Sequence, residues 1–112
     1  MSKFDECLAT YKSEFDKLGI SYDVDLLTKV AKGCGPSIYN ADASKVSSAD
    51  KEELARVKNN FLIKKLGMKD GAALDDAIAG VVDQFGSSNR NKYRAMFYYL
   101  LVKKLGKESS YS

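Results

Sequence analysis

Apolar residues recur at spacings of three and four almost everywhere in this chain, and nowhere alternate for long. Between Lys3 and Leu18 they fall at Phe4, Leu8, Tyr11, Phe15 and Leu18, which makes one stripe along a helix. Ser2 stands where an N-cap would, with Asp5 three residues on, and Gly19 offers a left-handed stop. A second helix is expected from Asp23 to about Lys32, with Val24, Leu27, Val30 and Ala31 on its apolar face and Gly33 as its end. Pro36 then forbids a continuous helix through Gly35. The stretch Gly33 to Asp50 is the least regular, with room for a short turn at Ser37 to Tyr39 and another after Asp42. Asp50 and Glu53 are spaced as a capping box, opening a third helix that runs to Leu66. A fourth is expected from Asp70 to near Phe85, with Leu74, Ile78, Val81 and Phe85 inward. Its alanines and Gly80 suit close helix packing. The fifth opens after Ser87 or Ser88 and runs to Leu105. Without period-two alternation, no sheet is expected.

The fold class is therefore all-α, a compact bundle of about five helices. At 112 residues the chain makes one domain, 1–106, followed by a disordered tail, 107–112. Two phrases nearly repeat: "FLIKKLGM" from Phe61 and "LLVKKLGK" from Leu100, 39 positions apart. The helices before them also match loosely. That pattern allows two helical hairpins preceded by an N-terminal helix, although any two amphipathic helices with good stops resemble each other. "KKLG" itself reads as a helix stop: lysines suit the negative end of the helix dipole, and glycine accepts the left-handed turn.

Composition narrows function by exclusion. There is no histidine, which removes the commonest general base and zinc ligand. Two cysteines 27 apart make no metal motif. Cys34, in "GCGP" at a helix end, is the one candidate nucleophile, but a C-terminal position does not lower a thiol's pKa. It is read as structural, as is Cys7 beside the first stripe. "DASKVSSADKEE" has Asp42 and Glu53 at the ends of a calcium-loop spacing, but Ser47 and Val46 stand at positions that need glycine and an oxygen donor. Catalytic, cofactor and metal residues are accordingly expected to be absent. No apolar run is long enough to span a bilayer, and the N-terminus lacks a signal-peptide core, so a cytoplasmic setting with reduced thiols is expected.

Charge carries the partner signal. The net charge of +3 is uneven. Met1 to Thr28 holds three lysines and six acids, whereas Ser87 to Lys107 holds six cations and no acid. The favoured reading is attraction between the two ends within the fold. On a helical wheel Arg90, Arg94 and Lys104 share a side with Phe97 and Leu101, while Lys92 and Lys103 fall elsewhere. The fifth helix is thus central and largely buried, with Tyr93, Phe97, Tyr98 and Tyr99 in the core. Arg94, inside an apolar arc, should find an acid or carbonyls. In the third helix Lys51, Lys58 and Lys65 recur every seven residues on one line. With Arg90 and Lys92 they are the candidate partner or anion contacts. The leading reading is a non-enzymatic helical protein acting through a protein partner or self-association. Weak binding of nucleic acid or another polyanion through basic helix surfaces is the alternative.

The stretches "DASKVSSADKEELARVKNNFLIKKLG" and "RNKYRAMFYYLLVKKLGK" resemble the hallmarks of a bacterial family catalogued as domain of unknown function 2853. The resemblance spans Val30 to Lys107, and "GCGPSIYN" departs from its usual pattern. It implies a small, bacterial, intracellular helical protein, and it implies no activity, cofactor or partner.

Overall fold

The first helix, α1, spans Lys3–Leu18 and buries Leu8, Tyr11 and Phe15, with Phe4 and Leu18 packed at the edge of the core. In this computed structural model the residues described are 3–39, 44–46, 50–86 and 92–111; Ser2, expected as a cap, lies outside them. Gly19 ends α1 at φ +69°, where the Ile20 N–H reaches the Phe15 carbonyl and the Gly19 N–H that of Asp16. This pair of bonds satisfies carbonyls that the helix leaves open.

Helix α2 spans Val24–Gly33. Asp23 caps it, its Oδ1 accepting from the N–H groups of Asp25 and Leu26. The Asp23 N–H in turn donates to the Tyr99 hydroxyl at 2.7 Å, which ties this cap to the last helix. The expected stop at Gly33 is corrected by two residues: Gly33 is still helical, and Gly35 takes the left-handed conformation at φ +66°. Pro36 follows Gly35 at once, and a 3-10 turn, Gly35–Tyr39, carries the chain on and buries Ile38. The turn expected after Asp42 falls outside the described residues.

Helix three begins as α3, Lys51–Arg56, and continues as a π-helix, Val57–Lys65. The apolar spacing explains the change. On an α-helical wheel, Lys64 and Lys65 would share the face of Val57 and Phe61, and Leu62 and Leu66 would point away. A wider, i→i+5 turn gathers Val57, Phe61, Leu62 and Leu66 inward and leaves both lysines exposed, which is the burial seen. The Leu66 N–H accordingly donates five residues back, to the Phe61 carbonyl at 2.9 Å. Gly67 then turns at φ +70°, and Met68 packs back on the core.

Helix α4 spans Ala72–Phe85 and buries Leu74, Ala77, Ile78, Val81 and Phe85. It starts two residues later than expected, with Asp70 before it and paired to Lys58. Helix α5 spans Arg94–Leu105, not the longer helix expected from Ser87 or Ser88. Tyr93, just before it, is extended. The Val46 N–H donates to the Lys92 carbonyl and the Arg94 N–H to the Ser44 carbonyl, both at 2.7 Å, around an antiparallel Lys45–Tyr93 bridge. That tertiary pairing satisfies backbone groups which an earlier helical start would have used. No strand occurs among the described residues.

The layout follows from α5, which lies between α2 and α4 and is buried on most sides. The π segment packs on α4, and α1 packs on α2 and the first 3-10 turn. The result is the expected all-α bundle of five helices. Its two proposed hairpins are not equivalent pairs, since α4 rests on α5, whereas the main contact of α2 is also with α5. The segment read as a disordered tail forms a 3-10 turn, Glu108–Tyr111, against α2. Gly106, at φ +67°, closes α5 with the Lys107 N–H on the Val102 carbonyl, so both "KKLG" phrases are helix stops.

Candidate partner-binding cleft

The lysine line of helix three does not survive its π turn. Lys51 and Lys58 line one cleft between helix three and α4. Lys65 lies away from it, close enough to Cys34 for its charge to act on that thiol. Of the other candidate contacts, Lys92 is 3% exposed, and burial depresses its ammonium pKa. Arg90 falls outside the described residues. Of the four described candidate cations, the cleft brings together Lys51 and Lys58 and not Lys65 or Lys92.

The cleft encloses about 480 Å³. Its floor is Leu54, Ala55, Ile78 and Ala79, with Asn59 on the wall and Lys51 at the rim. Lys58 Nζ reaches across to Asp70 Oδ1 at 2.8 Å and to both Asp75 oxygens at 3.1 Å. These bonds raise the Lys58 pKa, and the same Lys58 contact holds Asp70 below the usual carboxylate range. The acids come to Lys58 because Gly67 reverses the chain and sets α4 alongside helix three. Sequence reasoning missed both acids. The available signal was their position at the head of α4, directly after a helix stop. The cleft lining holds two cations and two acids, so it presents no net positive charge to a polyanion.

Next to the cleft, Glu53 joins helix three to α5. Expected to fold back on its own helix start, it is instead gripped from two sides. Arg56 donates to Oε2 through Nε and Nη2, at 3.3 and 2.9 Å. Arg94 donates to Oε1 through Nη2 and to the Tyr98 hydroxyl through Nη1. Burial alone would raise the Glu53 pKa, but the two arginines outweigh it and the pKa falls. Arg94 has thus found the acid its apolar setting required. Tyr98 stacks on Phe61 with ring centroids 3.9 Å apart and also carries the Arg94 guanidinium over its ring, so it serves as a packing residue and not as an open platform for a nucleic-acid base.

Cys34 sits at the end of α2, half-buried among these groups. Burial pushes its thiol up to about 11 against the pull of Arg94 and Lys65, so it is held as a thiol. Cys7 directs its S–H toward the Ile38 carbonyl, 3.9 Å away. The neighbouring Tyr11 hydroxyl is buried beside Cys7 and meets no hydrogen-bond partner of good geometry among the described residues. Among the described residues no group of three or more potential metal ligands occurs, and no helix is long and apolar enough to cross a membrane.

Fold and site together define a small all-α protein built around one buried helix, with a charge-balanced cleft of mixed apolar and polar lining on its surface. The chain belongs to the family described as Protein of unknown function (DUF2853), whose model matches residues 10–109. No curated protein matches it.

Proposed function

We propose that this is a non-enzymatic, cytoplasmic helical protein that acts by binding another protein, a second copy included. The observation that supports this reading is the cleft between helix three and α4. Its apolar floor is open to solvent, and of the charges around it Lys58, Asp70 and Asp75 pair with one another. The groups that would favour other readings are occupied. The candidate nucleophile Cys34 is held protonated, and Lys58 is committed to two carboxylates.

Ala79→Trp tests the reading, because Ala79 is exposed on the cleft and its replacement fills the space without entering the core. Light scattering on purified protein, with quantitative capture by wild type and variant, should show an associated species or a partner that the variant loses. A strict monomer whose captured proteins are the same for both forms contradicts it. Polyanion binding has its own test. Duplex DNA and RNA titrated at two salt concentrations should give no binding at low salt; binding that weakens steeply with salt would favour the alternative.

A further inference from the structure

We propose that the cleft takes an amphipathic helical segment of mixed charge, apolar in the middle, with an acid at one end and a base at the other. This rests on the partner-binding reading and adds the chemistry of the partner. The charges are placed unevenly along the cleft. Lys51 is exposed, makes no ion pair among the described residues, and is the charged group at one end of the lining. At the other end one ammonium, Lys58, is shared by two carboxylates, which leaves one negative charge in excess. The Asp70 and Asp75 side chains are 70% and 63% exposed, so both keep oxygen faces for a second cation. The cleft as a whole is neutral but polar along its length. Lys51 and Lys58 stand seven residues apart, roughly 10 Å along the helix, which an acid and a base seven apart on a docked helix would match. Between them Leu54, Ala55, Ile78 and Ala79 offer an apolar seat for one or two leucine-sized side chains. The change from α to π turns at Val57 occurs in this wall of the cleft.

Three helical peptides test the inference, identical except at two positions seven apart on either side of a central leucine pair: Arg and Glu, Glu and Glu, or Arg and Arg. Binding is read from amide chemical shifts of Ala55, Asn59 and Ala79. The mixed peptide should bind several-fold more tightly than either uniform one. Lys51→Glu, a change at an exposed position, should transfer the preference to the Arg and Arg peptide. Equal binding of all three, tightest binding of the Glu and Glu peptide, or no binding at millimolar concentration overturns the proposal. These outcomes are separate from the Ala79→Trp capture, which can still show a partner of different chemistry.

Discussion

Replacing Glu53 is the sharpest probe of how helix three is held to α5. Its carboxylate and the Arg94 guanidinium are 13% and 16% exposed, so each depends on the other for compensation of charge. Glu53→Gln keeps the shape but replaces charge-assisted hydrogen bonds with neutral ones, a loss of about 1.5–3 kcal/mol. Glu53→Ala leaves a mostly buried guanidinium without its acid, at about 3 kcal/mol or more. Arg94→Met removes the other partner. The double variant should recover part of the loss, because two uncharged groups carry no uncompensated charge. Urea unfolding of wild type, Glu53→Ala, Arg94→Met and the double variant gives a coupling energy, expected at about 1.5 kcal/mol or above. The pH dependence follows from the direction of the Glu53 shift. A carboxylate with a depressed folded pKa contributes stability above its unfolded value, about 4.3, and loses it as pH falls through the folded value. The gap between wild type and Glu53→Gln should thus be full at neutral pH and shrink below about pH 4. A coupling under about 0.5 kcal/mol, or a gap independent of pH, refutes the reasoning.

Three further outcomes are expected. Leu62→Ala should cost about 2–5 kcal/mol in urea unfolding while Lys64→Ala is nearly neutral, because the π turn buries Leu62 fully and exposes Lys64; an α-helical register would make Leu62 cheap to lose. Gly80→Ala should be stabilising by roughly 0.5–1 kcal/mol, since the added Cβ meets only the mobile end of Lys104, at 2.7 and 2.8 Å, which can swing aside; destabilisation would mean that the Lys104 stem is fixed there. In a Cys7→Ser background, Cys34 should alkylate at pH 8 roughly a hundredfold more slowly than a free thiol, because burial pushes it up to about 11; a rate equal to that of glutathione contradicts its burial.

Much of the fold was legible because amphipathic period and glycine stops are local signals. The stripe of α1, the start of α2 at about Asp23, and the stops at Gly19, Gly67 and Gly106 were all readable from neighbours in the chain. The start of α5 was not, since it depends on Ser44 and Val46 pairing with residues nearly fifty positions away. The π-helix was hidden for a different reason. A wheel assumes 100° per residue, and that assumption placed Lys65 beside Lys58. The apolar spacing of Val57, Leu62 and Leu66 held the correction, but it requires asking which period best buries the leucines. At the candidate site, single residues were foreseen better than their grouping. Arg94 was expected to need an acid, but which one was set by tertiary structure, as were the two aspartates that neutralise Lys58.

The cleft between helix three and α4 is the place where this protein is expected to bind another. The most direct test is the affinity of a purified captured partner, or of the self-associated form, for wild type and Ala79→Trp at matched stability. A loss of tenfold or more in the variant, with its helical content and unfolding midpoint unchanged, is the predicted result. Equal affinity for both forms would place binding elsewhere on the molecule and contradict the account.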